Sequence, residues 1–301
     1  MIGPTGKSFT RTTHAKRKEQ EQPKPPPAEA PVPRAIPVEE PPRSPASRST
    51  QASSRSQARQ QEARLASQIS EDAEREIVGG RNKPGKMVDL GGSPAKGLAL
   101  TVHGVNDSPK SVSGLSEQSL TTGAQTKTLA WDDNFRRLGD SSKDLSRELG
   151  AWLDKNPGKP LTLSAHSMGS RISLAAMDDL AKSGKLKGHK VELNLVAPPL
   201  GGFDSANNLS KLPRLADRVF KNIRPSRDMG SASDFQKQLE SVKLPENVKV
   251  RVFTGGKDDV VDASMPGFKR IVDNLGAQVV NFPDADHSST VDAAARWLGN
   301  R

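Results

Sequence analysis

Residues 161–174, LTLSAHSMGSRISL, run from an alternating apolar segment through a small-residue turn into a helical pattern. Ser167 stands at the turn between His166 and Met168, with Ala165 and Gly169 outside them. Serines in strand-to-helix turns ordinarily do no chemistry. A tight strand–turn–helix can instead hold a serine hydroxyl above a sheet as a nucleophile. A hydroxyl attacks poorly until a base takes its proton, so this chemistry requires a histidine and, behind it, a carboxylate. The chain has five histidines. His14 lies in a polar leader, and His103 ends the first strand, ahead of any acid. His166 adjoins the serine in its strand, where neighbours face opposite sides. His189 precedes the fourth strand and belongs to the wrong end of a parallel sheet. His287 remains, in PDADHSST after the last strand.

The acid should fall between serine and histidine, after the penultimate strand. VFTGGKDDVVDAS offers Asp258, Asp259 and Asp262 there. Gly-x-x-Asp-x-x-Val spacing selects Asp258 with Gly255 and Val261. Asp259 is the alternative acid, since a one-residue shift of the loop would exchange the two. Alone, the cluster reads as a solvated acidic turn; the order Ser, Asp, His outweighs that reading, being the order this elbow uses. An oxyanion needs two backbone N–H donors. Met168 supplies one at a helix N-terminus, where amides are unpaired and the dipole favours negative charge. Val105, in VHGVNDS after the first strand, supplies the second. Gly104 lets that loop turn close to substrate, Gly169 completes the elbow, and His103 supports the loop from beneath.

Elements must position these groups. Short apolar runs at 97–104, 126–133, 161–167, 191–199, 248–256 and 277–282 alternate with a helix or long loop at 109–122 and helical patterns at 141–153, 169–182 and 289–298. Read as strands apolar on both faces, the runs predict a mostly parallel sheet covered by helices on both sides. Functional groups of such sheets gather at the carboxyl ends of the strands. Between the fourth and fifth strands, 201–247 is too long for an ordinary connection. Within it Leu209, Leu212, Leu215, Val219 and Phe220 mark one face of a basic amphipathic helix, which reads either as a lid meeting lipid or as a helix packed on the sheet.

Residues 1–86 differ in kind: Pro, Ser, Gln, Glu, Lys and Arg dominate, and they bring the apolar share of the chain down to 33%. Such text cannot bury enough apolar area to offset chain entropy, so a disordered leader is expected before a domain at 87–301. A segment at 57–77 could form a marginal helix. Zero cysteines exclude disulfides and thiolate chemistry. No Sec signal peptide or transmembrane segment is read. The net charge of +10 favours acidic surfaces, but with 4% aromatic residues it gives no reason to expect nucleic acid. GPTGKS at 3–8 is two residues short of a phosphate-binding loop and lacks its flanking strand and helix.

The His103-Gly104 pair, AHSMG around Ser167, Gly255-x-x-Asp258 and the late His287 together resemble the α/β-hydrolase superfamily over roughly 87–301. Ala165 replaces the first glycine of the usual elbow, as in some bacterial lipases. NLVAPPLGGF and the stretch before VFTGGKDDVV are also similar to bacterial lipases. The resemblance implies an α/β-hydrolase fold and a serine esterase or lipase acting on small-molecule or lipid esters, with no metal or organic cofactor. Amidase, thioesterase and acyltransferase chemistry use the same machinery. The alternative is an exported effector or interaction protein whose basic tail binds a partner, an export chaperone or an anionic membrane. Localisation is then cytoplasmic, or exported by a non-Sec route.

Overall fold

Side-chain parity along the strands divides the sheet into two unlike faces, and that division positions the rest. The structure, a computed structural model, describes residues 84–133, 136–210 and 223–301. Residues 1–83 of the leader, with the 57–77 segment, His14 and GPTGKS, and the core of the lid-like helix, 211–222, lie outside the described residues.

Seven strands form one sheet: β1 (Lys86–Gly91), β2 (Ser93–Val102), β3 (Ala124–Ala130), β4 (Leu161–His166), β5 (Val191–Val196), β6 (Val248–Gly255) and β7 (Gln278–Phe282). Their order is β1-β3-β2-β4-β5-β6-β7. Every neighbouring pair is parallel except β1, which runs antiparallel to β3 at the edge. The helices are α1 (Ser113–Thr121), α2 (Leu138–Lys155), α3 (Met168–Lys182), α4 (Asn207–Ser210), α5 (Ile223–Met229), α6 (Asp234–Glu240), α7 (Pro266–Leu275) and α8 (Ser289–Gly299). None of the described helices is long and apolar enough to cross a membrane.

On one face the register aligns three aliphatic rows across β2, β4, β5 and β6: Leu98, Leu161, Val191, Val248; then Leu100, Leu163, Leu193, Val250; then Val102, Ala165, Leu195, Val252. Helices α2, α3, α6 and α7 close over them with Leu145, Leu149, Ile172, Phe235, Leu239, Phe268 and Ile271. Each fully buried aliphatic side chain contributes about 1.5–3 kcal/mol, so the rows are the main hydrophobic support of the fold.

The opposite face corrects the expectation of strands apolar on both sides. Its rows run Thr126, Ala99, Thr162, Glu192, Lys249 and Thr128, Thr101, Ser164, Asn194, Arg251. Strands such as LTLSAH and VELNLV alternate, and strict period-two geometry sends every second residue here. The buried polar groups bond to one another: Thr101 Oγ1 to Ser116 Oγ at 2.9 Å, Asn194 Nδ2 to Ser164 Oγ at 3.1 Å, and Arg251 Nη1 to Asn194 Oδ1 at 3.1 Å. Helices α1 and α8 cover this face, packing Leu115, Val291 and Ala294 with Val196 and Phe253.

Three elements were not foreseen. β1 begins at Lys86, one residue ahead of the expected domain boundary, and α6 and α7 lie in text read as insertion or loop. The insertion is fastened by Arg171 of α3, which is fully buried. Its guanidinium donates to the carbonyls of Asp228 and Met229, both at 3.0 Å, and to Gln236 Oε1 at 2.9 Å. Burial lowers its pKa to about 10, so it stays charged at neutral pH.

Candidate active site

The turn between β4 and α3 forces Ser167 to φ 50°, ψ −124°, a left-handed conformation that a side chain adopts only under constraint. The constraint is local. The Ser167 N–H donates to Val196 O at 2.9 Å, which extends β4 pairing into the turn. A Cβ on Gly169 would lie 2.3 Å from His103 O and 2.8 Å from Val102 O, so only glycine lets α3 start this close to β2. A Cβ on Gly104 would stand 3.1 Å from Ser167 Cβ, which places the loop after β2 directly against the serine.

His287 arrives from the other side. Its Nε2 is 2.9 Å from Ser167 Oγ, and its Nδ1 is 2.9 Å from Asp258 Oδ2. The second Asp258 oxygen accepts from the N–H groups of Val260 and Val261, both at 2.9 Å, which fixes the carboxylate plane. The acid and histidine loops are pressed together by glycines: a Cβ on Gly255 would meet Ala285 O at 2.5 Å, and one on Gly256 would meet Pro283 O at 2.5 Å. Gly256 and Lys257 donate to Phe282 O and Ala285 O. Asp286 and Ser289 bond reciprocally around His287 and open α8.

The other candidate acids are elsewhere. Asp259 is exposed and makes no hydrogen bond to His287. Asp262 bonds to Ser264. Of the remaining histidines, His189 bonds Lys159 O at the amino end of the sheet. His103 stacks on Trp131 with ring centroids 5.4 Å apart and donates from Nδ1 to Gly104 O at 2.8 Å. Burial lowers its pKa to about 4, so it is neutral at ordinary pH.

The loop from Gly104 to Asp107 is clamped from beneath. Asp107 N–H donates to Asp133 Oδ2 at 3.1 Å, and burial raises the Asp133 pKa above the ordinary carboxylate range. The Trp131 indole donates to His103 O at 3.3 Å. Among the described residues no group accepts a hydrogen bond from the amides of Val105 or Met168.

Sequence reasoning missed three supporting groups: Asp133, Arg171 and the part taken by His166. His166 Nε2 donates to His287 O at 3.2 Å, and the two rings lie 4.9 Å apart. Burial, with a smaller contribution from the His287 charge, lowers its pKa to about 4. It braces the histidine loop as a neutral donor. No local pattern announces such a role, because the partner is 121 residues away. Among the described residues no group of three or more His, Asp or Glu side chains is gathered to hold a metal ion.

No protein-family model and no curated protein sequence matches this chain. Solved structures do. The mature form of lipase BlEst2 from Bacillus licheniformis is similar over 72% of this chain and 96% of its own, with a TM-score of 0.51 at 17% identity. A soluble variant of monoglyceride lipase from Saccharomyces cerevisiae, in complex with a substrate analogue, is similar over 71% of this chain and 91% of its own, with a TM-score of 0.54 at 15% identity. These likenesses establish one thing: the described residues have the α/β-hydrolase fold.

Proposed function

We propose that this chain is a serine hydrolase that cleaves carboxylic esters through an acyl-enzyme, with Ser167 as nucleophile, His287 as base and Asp258 as the acid behind it. One observation carries the reading: a single imidazole bridges Ser167 Oγ and Asp258 Oδ2 at 2.9 Å on each side. Ser167 Oγ attacks the ester carbonyl as its proton passes to His287 Nε2. Asp258 accepts the Nδ1–H, which holds the productive tautomer and stabilises the imidazolium. The tetrahedral oxyanion is received by the amides of Val105 and Met168. His287 then protonates the departing alkoxide, leaving Ser167 acylated. Water, deprotonated by the same Nε2, attacks the acyl carbon; the acid departs and Ser167 recovers its proton.

The proposed substrates are small-molecule or lipid esters, in keeping with lipases among the structural neighbours and with the 201–247 insertion anchored beside the site. The test is covalent labelling by a fluorophosphonate, followed by turnover of p-nitrophenyl esters of increasing acyl length. The parent should label and turn over. Ser167→Ala should lose labelling and fall about a millionfold in kcat, the scale of nucleophile loss in a comparable triad. A variant that labels and hydrolyses like the parent overturns the assignment.

A further inference from the structure

At the amino ends of the strands, away from Ser167, the polar face opens into a cleft of about 480 Å³ bounded by the sheet, α1 and the end of α8. Its volume lies within the roughly 300–1,000 Å³ typical of small-molecule sites. Its chemistry is that of neither a core nor an ordinary surface. Arg251 projects into it from β6 at 4% exposure. Only Nη1 of its guanidinium is engaged, donating to Glu192 Oε2 at 2.9 Å and to Asn194 Oδ1 at 3.1 Å. Nε is buried without an acceptor, and no acceptor meets Nη2 among the described residues. An unpaired buried donor such as Nε costs about 1–3 kcal/mol, which a bound acceptor would recover. Arg171 shares the unpaired buried Nε but gives both of its terminal nitrogens acceptors, three carbonyls and an amide oxygen, so the two arginines differ at Nη2.

Two further cations line the cleft. Arg301 lies 3.8 Å from the centroid of the Trp297 ring, and Arg251 approaches the same ring at 5.8 Å. Lys96 reaches in from β2, its side chain over Gly123. Neither Lys96 nor Arg301 has a carboxylate partner in another residue among the described ones. Glu192 is the one carboxylate side chain in the lining. Burial opposes its ionisation, yet the Arg251 hydrogen bond and the charges of Arg251, Lys190 and Lys249 hold its pKa below the ordinary range. Three cationic side chains therefore face one carboxylate side chain in the cleft.

We propose that this cleft is a second binding site, for a small organic dianion, either a phosphate monoester or a dicarboxylate, engaged by Arg251, Arg301 and Lys96. Carboxylate and phosphate oxygens can both accept from the unused guanidinium donors, and hydrogen bonds with both partners charged are the strongest available here. Thr162 and Ser119 offer hydroxyls to the polar remainder of such a molecule. The site shares no residue with the Ser167 cluster, so binding there is measured without reference to turnover.

Calorimetric melting of the full chain at constant ionic strength tests it, with glycerol 3-phosphate and succinate as probes and with glycerol, acetate and sodium chloride as controls. The unfolding temperature should rise saturably with a dianion, by roughly 5–10 °C at a hundredfold excess over Kd, and should not rise with the controls. Response to one dianion alone supports the site and identifies the head group. The Lys96→Ala/Arg301→Ala variant changes two exposed side chains and gives up the Arg301 contact with the Trp297 ring. Its half-saturating concentration should increase at least about tenfold, the equivalent of one lost charge-assisted contact. No saturable rise with either dianion overturns the proposal, and so does a rise that the double variant retains in full.

Discussion

The two faces of the sheet are built from the same strands and do opposite work. One face carries three unbroken aliphatic rows under four helices. The other carries threonine, serine, asparagine, glutamate and arginine under two helices, and it leads upward through Thr101 and Ser164 to His103 and His166 beside Ser167. The aliphatic face supplies free energy that does not depend on pH or ligands. The polar face supplies donors, acceptors and ionisable groups whose state does. A fold that concentrates its stability on one side can place costly polar chemistry on the other.

The largest separation should appear at the carboxyl edge. Asp258→Asn should lower kcat/KM about ten-thousandfold, since an amide neither stabilises imidazolium nor enforces the tautomer. Asp259→Asn, exposed and away from His287, should change it by no more than a few-fold. A crippled Asp259 variant beside a healthy Asp258 variant would move the acid by one residue. Both variants should melt near the parent, because neither touches an aliphatic row.

Leu163→Ala makes the converse cut. It empties the middle of a row and should cost about 2–5 kcal/mol in urea unfolding, while kcat per folded molecule stays within a few-fold. If turnover falls as steeply as stability, the division of labour between the faces fails. The buried histidines predict a pH effect of similar size. His103 and His166 are held near pKa 4 in the fold, chiefly by burial, against about 6.5 unfolded. Their stabilisation is complete above about pH 6.5. It is lost as the pH falls toward 4, where the unfolded chain binds protons that the native chain refuses, by up to about 3 kcal/mol for each histidine. Urea midpoints measured from pH 7.5 to 4 should fall accordingly; a flat profile between pH 7 and 5 would mean that neither histidine is held neutral. Ser164→Ala, which strands the Asn194 amide, should cost about 1–3 kcal/mol. The smallest effect is expected from removing residues 1–83: the shortened chain keeps β1 and the Gly85 N–H bond to Asp144, so ester turnover should match the full chain.

How far the sequence carried the fold follows the same division. Runs such as VELNLV and VKVRVF mark strands because alternate aliphatic residues leave a period-two trace. Their polar positions were absorbed into the reading of buried strands, so the second face went unrecognised. β1 left no trace: KMVDLG gains its place by antiparallel pairing with β3 at an edge, not by burying a stripe. At the site, Ser167, Asp258 and His287 could be read from loop position and chain order. Asp133, Arg171 and the brace from His166 could not, because each acts through a backbone partner remote in sequence or at a loop whose path only the fold determines.

The backbone at Ser167 has a consequence for what selection can reach. A non-glycine residue at φ 50° carries about 1–3 kcal/mol of strain, and glycine alone would release it. Ser167→Gly is thus expected to fold at least as well as the parent and to be inert. A population of variants screened only for solubility or heat resistance would drift toward glycine at 167 and lose its chemistry without any sign of damage. Persistence of a serine under such a screen would itself measure how strongly turnover is being demanded.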